Sequence, residues 1–441
     1  MQKQLAVEIA TRFKGEIVNG DAMQMYKGLP IITNKITLEE QRGIPHHLLG
    51  HIDLDQETWV VGDFKREANK IIKEIRSRGN LPIVVGGTHY YLEKFLFEDV
   101  FLGEPSKSSE SESHPILDEP TEVILAKLEE VDPVMAEQWH PNDRRKIRRS
   151  LEIYLNTGRQ ASQIYAEQKS RRGDSEQTAG DVGQSPWQTL LFWVYSDPEV
   201  LKDRVTRRVD KMLDNGLLDE TREMYQYLQQ KRASGRDIDL EKGIWQSIGF
   251  KQLQPYHQAT EEATEDRPEA ASTLEKLKAL GLEEVKGATR RYSKYQTGWI
   301  RNKLVPLLQE NPPAMDHLFL VDSTDVSKWA DNVAEPATSV TRLFLDGGAL
   351  PSPLELSRKA AEVLAEAEVV AANTTRTPCR RVCDTCGLTA VTEEVWKVHL
   401  ASHRHKRAQR KRKRRSLIIY EAPSKEAGGD SDLELLQGLP D

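Results

Sequence analysis

The run Leu81-Pro82-Ile83-Val84-Val85, followed at once by Gly86-Gly87-Thr88, constrains the fold more than any other stretch of the chain. A short β-branched run of this kind predicts a strand buried on both faces, as in parallel sheets. Before it, Trp59 to Arg78 carries Phe64, Ala68, Ile71, Ile72 and Ile75 on one apolar stripe, and Gly79-Asn80 closes the segment. That is the pattern of an amphipathic helix with a stop signal. Earlier still, Leu5, Ile9 and Phe13 recur at helical spacing over residues 3–13, and Glu16-Ile17-Val18 predicts a second strand. Strand, helix and strand in this order predict a βαβ-type, doubly wound α/β core.

Such cores place ligands at the carboxyl ends of their strands. Two loops stand there: Asn19-Gly20-Asp21-Ala22-Met23-Gln24-Met25-Tyr26 and Gly86-Gly87-Thr88. An acid where a strand stops, followed by Gln24 and an aromatic, suggests a base-recognising catalytic loop. An Asp used only for turn chemistry is the alternative.

The remaining chain predicts helix over Val123–Thr157 and strand over Leu190–Val194. One or two Arg-rich helices span Leu201–Gln230, a further strand covers Leu318–Val321, and an Ala/Glu-rich helix over 354–370 reads as a spacer. The Ser/Glu/Pro-rich stretch 104–119 predicts a disordered insert, and 170–185 a loop. With 441 residues, 38% hydrophobic and 30% charged, there is room for two or three domains. No run of 18 or more apolar residues is present, so no membrane span is expected. The first residues carry neither a signal-peptide apolar stretch nor an Arg-rich transit pattern. Three cysteines fit a reducing compartment rather than a disulfide scaffold. The net charge of -7 conceals a basic run from Arg404 to Arg415, which fits phosphate contact or a nuclear import signal; a solvated tail is the alternative.

Cys383-Asp384-Thr385-Cys386 followed by His399, His403 and His405 has the spacing of a Zn²⁺ finger. A small ββα unit brings four such ligands to tetrahedral geometry, with Leu388 and Trp396 as its expected core. His403 gives the shorter His spacing and His405 the longer. The sequence around them resembles RNA-associated fingers with the longer spacing, which favours Cys383, Cys386, His399 and His405 as ligands. Cys379 lies outside the pattern and is expected to be a free thiol.

Several ordered segments resemble the tRNA dimethylallyltransferase (isopentenyltransferase) family, in its eukaryotic form with a C-terminal finger. Asp21-Ala22-Met23-Gln24-Met25-Tyr26 is similar to its Asp-Ser-Met-Gln-hydrophobic-Tyr motif. In the family's order follow Gly43-Ile44-Pro45-His46-His47-Leu48, Gly86-Gly87-Thr88-His89-Tyr90-Tyr91 and Pro141-Asn142-Asp143-Arg144-Arg145-Lys146-Ile147. After these come Arg204 to Leu213, Gln246-Ser247-Ile248-Gly249-Phe250-Lys251, Thr289-Arg290-Arg291-Tyr292, Gln296 and Trp299-Ile300-Arg301. Together they span about residues 3–345 and 379–407.

The resemblance implies a P-loop-NTPase-like parallel sheet core with a helical insertion domain and a C-terminal ββα-type zinc finger. The expected division is a first core part over 1–118, a tRNA-contacting helical insertion over 119–186 and a second core part over 187–348. A helical linker over 349–375, finger and basic tail over 376–415 and an acidic, disordered terminus over 416–441 complete it. The implied activity is transfer of a dimethylallyl group from dimethylallyl pyrophosphate to the exocyclic amine of the adenosine beside the tRNA anticodon. Asp21 is the implied base, and Thr88, Arg204 and Arg208 would face the leaving pyrophosphate with Mg²⁺. Ala22, Met23, Gln24 and Gln246 would meet the target nucleotide. Arg144, Arg145, Arg148 and Arg149, with Arg290, Arg291 and Arg301, would meet tRNA phosphates. Zn²⁺ would be structural, and a monomer in the cytoplasm, with mitochondrion and nucleus as further compartments, is expected.

Two departures stand out. Tyr295 sits between Lys294 and Gln296 where the family usually has Arg. The family's opening strand and Gly-rich phosphate loop, ending in Gly-Lys-Ser or Gly-Lys-Thr, have no counterpart, and Met1 falls where the helix after that loop would begin. The expectation is either an internal start or a chain that transfers poorly. A non-catalytic RNA-binding protein is the alternative function. A P-loop nucleotide kinase is disfavoured by the same missing loop and by the finger.

Overall fold

The computed structural model describes residues 1–56, 58–97, 114–173, 188–236, 238–262, 268–310, 312–372 and 377–420. Most of the insert expected at 104–119, most of the loop expected at 170–185 and most of the acidic terminus lie outside the described residues. Among the described residues, 1–97 and 165–372 form one compact unit, and 114–164 with 377–420 form another. No described helix is long and apolar enough to cross a membrane.

The first unit is the α/β core. Its strands are β1 (Gly15–Asn19), β2 (His46–His47), β3 (Leu81–Val85), β4 (Leu191–Tyr195) and β5 (Leu318–Asp322). β1 lies between β2 and β3, parallel to both, with Ile17 opposite Ile83 and Asn19 opposite Val85. β4 and β5 form a separate parallel pair. The expected strand–helix–strand unit is β1, the helix Val61–Ser77 and β3. Gly79, at φ +72°, ends that helix in the left-handed region where glycine carries no Cβ penalty. The helix buries Phe64, Ala68, Ile72 and Ile75, each large side chain adding about 2 kcal/mol of apolar transfer energy. They join Val18, Met25, Tyr225, Trp245 and Phe250 in the main core.

β3 departs from expectation. β1 is buried along its length, whereas every residue of β3 is only half-buried. Among the described residues β3 pairs only with β1, and β4 only with β5. Between them opens an apolar cavity of about 350 Å³, lined by Leu5, Ile9, Ile83, Phe192, Val194 and Trp299 among others. The helix expected as a spacer is also different. Arg358–Ala372 buries Ala360, Val363, Leu364 and Ala367 against Leu318 and Leu320 of β5, so it belongs to the core rather than linking to the next domain.

The second unit holds the helices Thr121–Val131, Pro133–Gln138 and Arg144–Thr157, the antiparallel hairpin β6 (Pro378–Val382) and β7 (Thr389–Thr392), and the helices Glu393–Ala401 and His403–Tyr420. The helical stretch expected over 123–157, with a second helix starting near 141–145, has that start at Arg144 and a further break at Asp132-Pro133. Fully buried Asp132 accepts from the N–H of Met135 at 3.2 Å and of Ser162 at 2.8 Å, capping one helix and anchoring another. Arg380 of β6 pairs with Glu129 at 2.8 Å. The insertion helices and the finger, expected as separate domains, therefore make one unit.

Candidate active site and metal centre

Because β1 and β3 are adjacent and parallel, their carboxyl ends deliver both loops to one place. The Gly20 N–H donates to the Val85 carbonyl at 2.8 Å. A Cβ on Gly86 would lie 2.2 Å from the Gly20 carbonyl carbon, so only glycine lets the loops cross. Asn19 then fixes the Asp21 loop. Its amide donates to the carbonyls of Leu48 at 2.9 Å and Asp21 at 3.0 Å, and its Oδ1 accepts from the Asp21 N–H at 3.2 Å. The Ala22 N–H donates to Thr88 Oγ1 at 3.0 Å, joining the two loops directly and leaving the Thr88 hydroxyl proton free to donate.

Asp21 Oδ1 accepts from the Met23 N–H at 3.0 Å. Its Oδ2 is 3.5 Å from where a Gly87 Cβ would sit. Burial pushes the Asp21 carboxyl above the usual range, and the Met23 N–H, Lys3 and Arg208 pull it back. Burial in turn lowers Lys3 to about 8, with Asp21 opposing. Arg208 is lowered by burial and supported by Asp21. The net shift is upward, which makes the carboxylate a stronger proton acceptor than an exposed Asp.

The helix Pro268–Trp299 crosses the second loop. Gln296 Nε2 donates to the Gly87 carbonyl at 2.9 Å, and the Tyr292 hydroxyl donates to the same carbonyl at 3.3 Å. Burial of its phenol pushes Tyr292 up to about 12, and the negative charge of Asp21 adds to this. The sequence alone gives no role to Lys3, Tyr292 or Gln296. The four-residue spacing of Tyr292 and Gln296 on a helix was the available signal for two of them.

The other expected residues divide. Gln24 is nearly buried, and its side-chain amide has no hydrogen-bond partner among the described residues. Met23 Sδ meets the buried Ser247 hydroxyl at 3.4 Å, which brings the Gln246 segment to the Asp21 loop, with Gln246 exposed. Arg208 lies on the helix Pro198–Asp214 and faces Asp21 electrostatically. Arg204, one turn earlier, donates to the carbonyls of Ser323 at 3.0 Å and Thr324 at 3.2 Å, so it secures the end of β5. Arg290 reaches Thr206 of the same helix at 3.4 Å, and Arg291 is exposed. Arg301 lies 3.9 Å from Glu366 on the core helix. In the second unit Arg144 and Arg148 donate to the Leu117 carbonyl, each at 3.2 Å, and Arg149 pairs with Glu152 at 2.9 Å. Arg145 points to solvent. Asp143 caps that helix by accepting from the Lys146 N–H at 3.3 Å.

The second unit also holds the metal centre. One ligand atom from each of Cys383, Cys386, His399 and His405 lies within 4.8 Å of all the others. His405 Nδ1 is 3.5 Å from each sulfur and 3.1 Å from His399 Nε2. Those separations match the edges of a tetrahedron with Zn–S of about 2.3 Å and Zn–N of about 2.0 Å. His403 is exposed and outside the cluster, so His405 is the fourth donor. The Cys knuckle is a turn closed by N–H groups of Cys386 and Gly387 on the Cys383 carbonyl, with Gly387 at φ +65°. Leu388 is exposed, contrary to its expected core role; Cys383, Ala390, His399 and His405 are the buried residues, with Trp396 tilted against His399. Cys379 is a free thiol.

The family model described as IPP transferase matches residues 24–303. The tRNA dimethylallyltransferase of Schizosaccharomyces pombe is 37% identical, over 94% of this chain and 94% of that protein. The Homo sapiens tRNA dimethylallyltransferase is 32% identical, over 93% of this chain and 84% of its own. A crystal structure of a eukaryotic dimethylallyltransferase acting on tRNA superposes with a TM-score of 0.76 at 32% identity, covering 95% of this chain and 96% of that one. With its motifs in order and these matches running through core and finger, the chain belongs to the IPP transferase family.

Proposed function

We propose that the protein transfers a dimethylallyl group from dimethylallyl pyrophosphate to the exocyclic amine of the adenosine 3′-adjacent to the anticodon in tRNA. The observation that carries this is Asp21: a half-buried carboxylate at the joined ends of β1 and β3, with the charges of Lys3 and Arg208 acting on it and the Thr88 hydroxyl beside its loop. The adenine amine attacks C1 of the dimethylallyl group. The C1–O bond breaks, pyrophosphate leaves with its electron pair, and the amine proton passes to the Asp21 carboxylate. An adenine amine is a weak nucleophile, so a positioned base lowers the barrier as positive charge develops on nitrogen. Lys3, Arg208 and the Thr88 hydroxyl are the groups placed to meet the pyrophosphate oxygens.

Mg²⁺ suits such a site through oxygen donors. Thr88 Oγ1 is of that kind, and the ion would take its other ligands from pyrophosphate and water. It would offset phosphate charge. The target base has to leave its stack to reach Asp21. Gln24 supports that, because an amide side chain on the turn that follows Asp21 pairs well with an adenine edge. Arg145, Arg290 and Arg291 are the proposed phosphate contacts, and Zn²⁺ on the four-ligand cluster would hold the finger together.

The test is Asp21→Asn. Transfer should fall by about 10²–10⁴-fold, while affinity for an anticodon stem-loop stays within two-fold, roughly the error of such a measurement. Wild-type transfer that survives this substitution would remove Asp21 from the mechanism.

A further inference from the structure

On the helix Pro268–Trp299, Tyr292 and Tyr295 stand one turn apart with nearly parallel rings, centroids 6.4 Å apart and planes inclined by 19°. Both are exposed: Tyr295 is 64% accessible and Tyr292 41%. Large exposed aromatic surface is unfavourable in water unless something covers it. Tyr292 is not loose, because its hydroxyl donates to the Gly87 carbonyl, the carbonyl that Gln296 also holds. Its phenol also feels the charge of Asp21. The pair therefore begins at the floor of the candidate active site and runs outward from it.

The surroundings state what kind of partner fits. Arg291 and Lys294 flank the rings, both exposed and without an acidic partner among the described residues. Among the described residues Arg290, on the same helix, donates to the Thr206 hydroxyl and has no acidic partner. Aromatic faces interleaved with unneutralised cations suit a single-stranded nucleic acid, whose bases stack on rings while its phosphates take the charges.

We propose that Tyr295, seconded by Tyr292, is a stacking platform for an unpaired RNA base next to the nucleotide that enters the Asp21 pocket. This rests on the functional reading above and adds a positioning residue to it. Stacking on Tyr295 holds the loop splayed so that the target base, and not its neighbour, faces Asp21. The residue acts on placement and touches no reacting atom. Its effect therefore falls mainly on KM for the RNA, with kcat changed much less.

The experiment uses the full chain and an anticodon stem-loop carrying 2-aminopurine beside the target adenosine, read by fluorescence quenching and by equilibrium binding. Tyr295→Ala should weaken binding by about 5- to 150-fold and relieve the quenching, the range expected for one base–aromatic stack. Tyr295→Phe and Tyr295→Trp should restore both. An abasic nucleotide at the probe position should abolish the difference between wild type and Tyr295→Ala. If wild type binds and quenches while Tyr295→Ala matches it, the platform is overturned and the functional reading stands. If wild type fails to bind the stem-loop, both are overturned. If Tyr295→Ala loses binding but Phe and Trp do not restore it, the ring is not stacking and the platform is again overturned.

Discussion

Asp21 and Lys3 oppose each other's loss of charge: burial drives the carboxyl pKa up and the ammonium pKa down, and each charge works against the shift of the other. Lys3 comes from the first turn of the helix Gln2–Arg12, and its amine also donates to the Asn34 carbonyl. The pair is thereby set between the opening helix and the loop after β1.

A two-limbed pH profile follows. Asp21 has to be ionised to accept a proton, so activity should rise with pH through its raised pKa. Lys3, lowered to about 8, loses its charge above that value, so activity should decline on the alkaline side. Lys3→Met should lower the plateau and remove the alkaline decline, whereas Lys3→Arg should keep the plateau and move the decline upward. Rate against pH at saturating RNA checks both; an unchanged alkaline limb in Lys3→Met would separate Lys3 from the chemistry.

Glu16, at the opposite end of β1's environment, is a structural carboxylate. Arg78 Nη2 donates to it at 2.8 Å, Asn80 at 2.7 Å, and His47 Nε2 lies 2.7 Å away. The Arg78 contact, aided by Asn80 and His47 against the cost of burial, holds its pKa at about 2, below the ordinary 4.5. A lowered folded-state pKa gives stability that is complete above the unfolded value and is lost as pH falls from about 4.5 towards 2. Glu16→Gln should cost on the order of 3 kcal/mol at neutral pH and flatten the acid limb of the stability curve. Urea unfolding at pH 7 and pH 3 measures it; equal losses at both would refute the linkage.

At the finger, the two candidate histidines separate cleanly. His405→Ala should abolish stoichiometric zinc, and His403→Ala should retain one ion per chain, roughly as wild type does. Metal content of the purified variants decides this. Chelation should expose the hairpin β6–β7 to protease while the core unit resists, because the finger's buried set amounts to little beyond Cys383, Ala390, His399 and His405.

Much of this was readable beforehand because it is local. The Gly86-Gly87-Thr88 turn, the stripe on Val61–Ser77 and the Cys/His spacing each depend on a few neighbouring residues. What escaped depends on distant parts of the chain meeting. Lys3 matters only because Asp21 folds against it, and nothing in Met1-Gln2-Lys3 says so. Arg204 and Arg208 look equivalent at a four-residue spacing, yet the end of β5 claims Arg204 and leaves Arg208 to Asp21. Leu81–Val85 reads as an interior strand because composition reports apolarity, whereas its exposure depends on what stands on its far side.

That far side has a consequence for how the chain behaves in company. Leu81 donates to Lys14 and Val85 accepts from Gly20, so the odd-numbered residues of β3 turn their peptide groups to β1. The even-numbered positions turn theirs to the cavity, and one of them, Pro82, has no N–H. An extended segment approaching along β3 meets the carbonyls of Pro82 and Val84 but, of these two residues, only the Val84 N–H donor. Proline at that place costs β1 nothing and makes the open flank a poor template for a stray strand, a built-in safeguard against edge-to-edge aggregation.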